Sequence, residues 1–428
     1  MEKTYAHWRA AHPLLFISGH LCIGVLFAEI IFPATRTISL FAPIIILIST
    51  LLLLGILFQH CTSAAIINFI IAVSLVSWGI AIFFATSSQD LMHIPVPSHL
   101  INYCRTLVID KINRTIHQKE ANGFAQALLL GVKADINKEL IKAYNQLGII
   151  HIIAISGMHL EIIFKNLTRI TNWLPRKKYF LLLELFIIIG GIWTYTLMAF
   201  ASPSIVRASV FFSIYFIGKF LKQSALVLNI IAGGILMVLL FDVKDLHNIG
   251  LQLSYAAVIG IHLFYPLLFK LLPMDNPVLS FFWSNFCITL AAQLTTLPIL
   301  AYHFHQLSTL VLISNFIMVP LSNILLYALA LLVGLPNFYN IANIFGSYIE
   351  RYILWMNEAI SLLYTKFISK VAIVNFSAFE VTVYYLLLLL VYLWLFQKKV
   401  RFLFYTMWVL GLLIAIKLFS PVYYLWKI

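Results

Sequence analysis

The run His151-Ile-Ile-Ala-Ile-Ser156-Gly-Met-His159 sets two imidazoles, a hydroxyl and a glycine inside an otherwise apolar stretch. Several kinds of chemistry suit those groups. Ser156 and His159 stand three residues apart, so on a helix they share a face, where an imidazole can accept the proton of a hydroxyl nucleophile. A hydrolase would need that serine or a histidine-bound metal, but no carboxylate stands in a clear orienting position, which counts against it. Alternatively the two imidazoles tie neighbouring helices together, or they line a wet path. His151 and His159 are eight positions apart, about 80° of rotation on a straight helix, so both rings can share one broad face unless Gly157 interrupts it.

More polar islands recur downstream inside other apolar segments, around Arg207, Gln252 with Ser254, Gln293 with Thr295 and Thr296, and Asn315, with His303 and His305 at the end of one such segment. A charged side chain at the centre of a bilayer costs roughly 2.5–3.5 kcal/mol on insertion scales. Arg207 therefore either snorkels to the interface, four residues past Pro203, or faces a partner or a cavity, where its planar guanidinium would offer two parallel donors to a phosphate oxygen. Taken singly, a Gln, Asn, Ser or Thr at this depth reads as an interhelical tie worth roughly 1 kcal/mol or less. Taken as a set from separate segments, they read as a vestibule whose water satisfies groups that lipid cannot. The candidate lining residues are His151, Ser156, His159, Arg207, Gln252, Ser254, Gln293, Thr296, His303 and Asn315. Glu29 and Glu184 lie near span ends and read as structural. Tyr384, Tyr385, Tyr392, Trp394, Tyr423, Tyr424 and Trp426 read as an interfacial aromatic belt rather than a platform for stacking bases.

The elements that must hold these groups are membrane helices. Of 428 residues 62% are hydrophobic and only 10% charged, with a mean hydropathy of +0.98. A soluble domain has roughly 45–50% apolar and about 25% charged residues. The fold class is all-α, a polytopic helical membrane protein. A window of about 20 residues places spans near 14–33, 38–58, 64–86, 148–166, 179–200, 203–220, 225–241, 247–272, 281–301, 307–335, 380–396 and 401–419. The stretch 307–335 contains Pro320 and Gly334 and reads as one kinked helix or two short ones. The stretch 347–365, with Glu350, Arg351 and Glu358, reads as an interfacial amphipathic helix or as a protein-buried span. The count is about 11 to 13, some of them broken or re-entrant.

Four segments follow: residues 1–86 with three spans, an amphipathic segment 87–147, a polytopic core 148–335, and 336–428 with an amphipathic helix and two spans. In 87–147 we expect helices near 98–118 and 120–131, then a short one capped by Asn137 and ending before Gly148. The first span lacks a clear cleavage site and is expected to remain uncleaved. Cys22, Cys61, Cys104 and Cys287 have no metal spacing and indicate neither a disulfide framework nor zinc; no cofactor is expected. The 28 Lys and Arg against 15 Asp and Glu suit either an anionic partner or the positive-inside rule. With Lys3 and Arg9 in the cytoplasm, alternation leaves Lys177, Lys178, Lys219, Lys222, Lys270, Lys398, Lys399 and Arg401 there too, and 87–147 outside.

The ordered blocks Ala127-Leu-Leu-Leu-Gly131, Leu147-Gly-Ile-Ile-His151, Ala154-Ile-Ser-Gly-Met-His159, Ser204-Ile-Val-Arg207-Ala208, Gly250-Leu-Gln252-Leu-Ser254-Tyr255, Gln293-Leu-Thr-Thr-Leu-Pro298 with Tyr302-His-Phe304 and Gln306, and Asn315-Phe-Ile-Met-Val-Pro320-Leu321 resemble the competence domain of the ComEC family. The resemblance covers about residues 120–330. It implies an inner-membrane channel, not an enzyme, that admits single-stranded DNA to a bacterium during natural transformation, one strand being degraded elsewhere. It also implies an external DNA receptor and a cytoplasmic motor or strand-binding proteins. The chain has no phosphate-binding Gly-x-x-x-x-Gly-Lys-Ser/Thr loop, and phosphates entering against the membrane potential cost about 2.3 kcal/mol per charge per 100 mV, so the driving force must come from such a partner. Many relatives carry an external β-barrel and a metallo-β-lactamase-like domain. We expect neither in this short form, because 87–147 is too short and too helical and no His-x-His-x-Asp-His motif occurs. Val132-Lys133 and Glu161 also depart from the family pattern. A transporter of another polymer or of a small solute remains open, as does a homo-oligomer.

Overall fold

The structure, a computed structural model, describes residues 13–31, isolated positions between 71 and 79, and 98–411 with interruptions at 133–135, 176, 222–226, 242–246, 309, 336–338, 368–370 and 374–375. The expected spans at 38–58 and, nearly all of it, 64–86 lie outside the described residues, as does the end of the last one. In chain order the helices are α1 (Pro13–Ile31), α2 (Ser98–Thr115), α3 (Lys119–Leu130), α4 (Lys138–Gln146), α5 (Ile150–Ile153), α6 (Gly157–Thr171), α7 (Lys178–Met198), α8 (Pro203–Phe220), α9 (Val227–Phe241), α10 (Ile249–Phe269), α11 (Pro277–Phe304), α12 (Val311–Gly334), α13 (Tyr339–Phe367), α14 (Ala378–Gln397) and α15 (Val400–Gly411). Two three-residue strands, β1 (Gln306–Ser308) and β2 (Val371–Ile373), pair antiparallel with Leu307 opposite Ala372.

Five of these helices are long and apolar enough to cross a membrane: Tyr179–Met198 of α7, α10, α11, α12 and α14. Shorter apolar stretches occur at Phe16–Leu26, Val227–Val238 and Val400–Gly411. The chain is therefore an all-α, multi-pass membrane protein. Pro320 does not divide 307–335; α12 runs through it as one helix. The expected single span 148–166 is corrected. The chain leaves the helix at Ala154, which is extended (φ −77°, ψ 131°), and a new helix starts at Gly157. The second piece, α6, carries Glu161, Lys165 and Arg169. An exposed Glu161–Lys165 ion pair of 2.6 Å marks its polar side, and at 15 residues it is too short to span.

The chain forms two compact units. One comprises residues 1–102 and 160–251. In it α7 packs on α8, α8 on α9, and α9 on α1. Polar ties join α7 to α8: the Thr196 and Ser209 hydroxyls bond each other, and the Trp193 indole N–H donates to the Ser213 Oγ at 3.2 Å. Small hydroxyl residues allow close helix approach and supply such bonds where no water competes.

The other unit comprises residues 103–159 and 252–428. Its first part is the amphipathic segment. Asn137 caps α4 as expected, its Oδ1 accepting from Glu139 N–H at 2.9 Å, and Gly131 closes α3 in the left-handed conformation (φ 74°). The buried faces of α3 and α4, with Phe124 and Tyr144 fully enclosed, pack against α13. Thus α13, left open as an interfacial or a protein-buried helix, has one face buried in protein. Four hydrogen bonds fix it there. The Glu350 carboxylate accepts from the backbone N–H groups of His117 (2.6 Å) and Gln118 (3.0 Å), capping α3 at its positive end. Asn357 accepts from the Tyr144 hydroxyl at 3.3 Å and donates toward Glu120 at 3.4 Å. Burial, and secondarily the Glu120 carboxylate, push the Tyr144 phenol well above its ordinary range. Gly346 sits where a Cβ would meet the Thr115 carbonyl oxygen at 2.4 Å. Gly346→Ala is therefore expected to destabilise the protein by about 1–2 kcal/mol, read as a lowered midpoint of thermal unfolding in detergent.

Candidate functional site

The residues of the opening motif turn out to be a helix start. Ser156 precedes the first residue of α6, and His159 occupies the third helical position. His159 Nδ1 accepts from the Ser156 backbone N–H at 3.1 Å and lies 3.1 Å from the Ser156 Oγ. This is the return half of a capping box, with imidazole in the place usually held by Glu or Gln. Because Nδ1 accepts from a main-chain donor, a neutral ring must carry its proton on Nε2. That atom is buried and has no hydrogen-bond partner among the described residues, and the whole side chain is only 2% exposed. His151, on the single turn of α5, is exposed. The two histidines do not lie on one straight helix, because the extended residues between them separate α5 from α6. The cap assigns the smaller role to the hydroxyl. Ser156→Ala is expected to leave membrane abundance and transport within about twofold, whereas His159→Ala strands a main-chain donor and is expected to cost about 1–3 kcal/mol. Abundance by immunoblot, beside transport, separates the two.

Arg207 lies in the other unit, on the buried side of α8, where its Nη2 donates to the Gly250 carbonyl at 3.0 Å. Gly250 belongs to the first turn of α10, which Asn248 caps by accepting from the N–H groups of Gly250 (2.9 Å) and Leu251 (3.3 Å). Of the two readings of Arg207, snorkelling gives way to structural pairing: the side chain is 8% exposed and anchored on a protein carbonyl. The arginine also sits beside the positive end of α10, so two sources of positive potential meet at one corner.

Three spanning helices meet at Thr295. Its Oγ1 donates to the Ala256 carbonyl on α10 at 2.7 Å, and its own carbonyl accepts from the Tyr385 hydroxyl of α14 at 2.8 Å. Phe264, Ala291 and Leu388, one from each helix, form the apolar core beneath. A Cβ on Gly260 would lie 2.2 Å from Thr295 Oγ1 and 2.5 Å from the Ala291 carbonyl oxygen, so α10 and α11 cross in near backbone contact. Thr296 bonds back to the Ala292 carbonyl in its own helix at 3.0 Å, the carbonyl that Thr295 Oγ1 also reaches at 3.1 Å. Gln252, Ser254 and Gln293 are half-buried. Asn315 on α12 is 5% exposed, and its buried Oδ1 has no partner among the described residues. His303 ends α11 exposed, edge-on to Tyr302.

Among the ten expected lining residues, the hydrogen bonds described here bring Ser156 to His159 and Arg207 to the α10 turn, and turn Thr296 back on its own helix. Sequence reasoning passed over Asn248, Glu350, Asn357 and the central place of Thr295. Asn248 was accessible as a cap signal, an Asn one residue before an apolar periodic run. The others act through partners 39 to 237 positions away, and no local signal marks them. Among the described residues no three His, Cys, Asp or Glu side chains group as metal ligands.

An all-α membrane protein with polar residues buried in a core of spanning helices is a class with many functions. Comparison with known proteins narrows it. The Competence protein family profile matches residues 128–398. The chain is 29% identical over 299 residues to ComE operon protein 3 of Bacillus subtilis (strain 168), covering 68% of this chain and 36% of that protein. No solved structure matches. The chain belongs to the competence protein family, and it spans about a third of the length of that curated relative.

Proposed function

We propose that this protein is a conduit in the bacterial plasma membrane for import of single-stranded DNA during natural transformation, with its N-terminus in the cytoplasm and the segment containing α2 to α4 outside. The observation that carries this reading is the family match, which extends over α5 to α14, the part of the chain that holds the polar residues within spanning helices. Two buried polar atoms with no hydrogen-bond partner among the described residues, His159 Nε2 and Asn315 Oδ1, are what a water- or ligand-facing interior would leave. The +13 formal charge, which the positive-inside rule also accounts for, is compatible with a polyanion. Arg207, at the positive end of α10, supplies the kind of donor that phosphate recognition uses. The protein itself transports and does not hydrolyse. A cytoplasmic motor or strand-binding protein draws the strand inward, and an external receptor delivers it.

The Ser156–His159 contact is the observation that would favour a hydrolase. It lacks the third group that orients a catalytic imidazole, since His159 Nε2 has no acceptor among the described residues. In a transformable strain, deletion of this gene is expected to leave labelled duplex DNA bound at the cell surface while nuclease-protected, cytoplasmic label falls by at least a hundredfold. Undiminished internal label in that strain would refute the proposal.

A further inference from the structure

In the unit that contains α7 to α9, the ends of three helices gather more positive charge than the chain compensates. Side-chain contacts fix the directions of these helices. α6 runs antiparallel to α7: the Thr171 hydroxyl donates to Glu184 Oε1 at 3.4 Å, and a Cβ on Gly191 would lie 2.6 Å from the Leu167 side chain. α7 runs antiparallel to α8, since Trp193 pairs with Ser213 and Thr196 with Ser209. α6 and α8 are therefore parallel, and the Phe164 ring packs on Phe212, Tyr215 and Phe216. Arg169, five residues past Phe164, and Lys219, four past Tyr215, then stand at one level near the ends of their helices. Lys177, the N-cap of α7, lies farther out on the same side.

All three cations are exposed, and none of their side chains has a hydrogen bond or ion pair among the described residues. The acids near them are committed elsewhere: Glu184 is buried against Thr171, and Glu161 is paired with Lys165. The surface around the cations is strongly apolar, with Trp173 91%, Tyr179 84% and Ile170 67% exposed. Water is a poor neighbour for that much indole and aliphatic surface, and hydrocarbon a poor one for three uncompensated charges. The boundary between the two takes both, with indole and phenol rings at the headgroup level and long basic side chains reaching outward. From Tyr179 onward α7 is long and apolar enough to span, which puts the start of that helix at the boundary.

The charge selects which lipid. We propose that the ends of α6, α7 and α8 bind the headgroup of an anionic phospholipid, its phosphodiester held by Arg169 and Lys219. The guanidinium offers two parallel donors to the phosphate oxygens, and the ammonium a mobile point charge. Lys177 adds charge at the outer edge of the headgroup, and Trp173 and Tyr179 flank it as boundary anchors. A zwitterionic lipid carries the same phosphate, but its own cation meets three others, so the cluster discriminates against it. A nucleic acid strand also offers a phosphodiester, but it brings no hydrocarbon to cover Ile170 beside a spanning helix. The site is independent of what the protein carries.

The test uses the full-length protein, purified in detergent and stripped of co-purified lipid. Phosphatidylglycerol or phosphatidylcholine with the same acyl chains is added, and the lipid retained per molecule is counted by native mass spectrometry. Phosphatidylglycerol is expected to be retained better by about tenfold or more, since each basic group near an anionic surface contributes about fivefold. Arg169→Gln, Lys177→Gln and Lys219→Gln together should remove that preference and leave phosphatidylcholine retention unchanged. Lys270→Gln, Lys398→Gln and Lys399→Gln, which lower the net charge equally in the other unit, should keep it. If the first triple variant unfolds, its single variants replace it, each expected to lower the preference about fivefold. Inorganic phosphate and a single-stranded oligonucleotide, added as competitors, should displace none of the bound lipid. Equal retention of the two lipids by the unaltered chain overturns the proposal before any variant is made. So does a preference that neutralising Arg169, Lys177 and Lys219 leaves unmoved, or one that both triple variants abolish alike, the outcome for net charge only. Displacement by phosphate would assign these groups to a free anion, and displacement by the oligonucleotide to nucleic acid; either also overturns it.

Discussion

Gly260→Val is expected to unseat α10 from α11 and to cost about 3 kcal/mol or more, at the upper end of what overpacking exacts. A Cβ alone would stand 2.2 Å from Thr295 Oγ1 and 2.5 Å from the Ala291 carbonyl oxygen, and the second of these is helix backbone that cannot rotate away. The side chain would also break the Thr295 bond to the Ala256 carbonyl, leaving a hydroxyl and a carbonyl to find other partners beside an apolar core. α14 follows, because Tyr385 holds on to the Thr295 carbonyl. The expected readout is a sharply lowered midpoint of thermal unfolding in detergent, and low abundance in the membrane. Gly260→Ala should show the same effect in weaker form. Thr295→Val, which keeps the shape and removes only the hydroxyl, should cost less, about 1 kcal/mol. A Gly260→Val protein as abundant and stable as the parent would show that the helices do not cross at this point.

Arg207→Met is the second large effect. The substitution keeps much of the apolar stem but removes the donor to the Gly250 carbonyl and the positive charge beside the start of α10. Loss of the bond is expected to cost about 1–3 kcal/mol, and on the function proposed above uptake of labelled DNA is expected to fall at least tenfold. Arg207→Lys separates the two contributions. A lysine retains the charge as a compact, flexible group but lacks the planar fork. If Arg207 only anchors α10, uptake in both variants should track membrane abundance. If it also meets phosphate, uptake per molecule should fall in the methionine variant and recover partly in the lysine variant. Unchanged uptake per molecule in both would remove Arg207 from the conduit.

The contrast between Thr295 and Thr296 shows where sequence reading stops. Adjacent hydroxyls in one apolar segment look alike on paper. In the folded chain they start about 100° apart; both reach back to the Ala292 carbonyl of their own helix, and Thr295 also reaches across to α10. The opening motif teaches the same lesson differently. Ser156 and His159 have the spacing of a nucleophile and a base, and they do approach to 3.1 Å, but the main-chain N–H that shares the imidazole turns the pair into a helix cap.

Composition and periodicity by themselves determined that the chain is a helical membrane protein, where most of its spanning helices run and where α4 begins. They also carried the ordered blocks that mark the family. These are local properties: hydropathy sums over about 20 residues, and a cap needs only its own turn. Tertiary structure alone decided that α5 and α6 are separate helices, that α13 lies against α3 and α4, and that Thr295 ties three spans. It also decided that Arg207 ends on a carbonyl 43 positions away. Each of these depends on which residues of distant segments occupy the same few ångströms. In an apolar chain many helix pairings satisfy the hydropathy pattern equally, and the choice among them falls to close packing at a few small residues and to the few polar groups that must find one another.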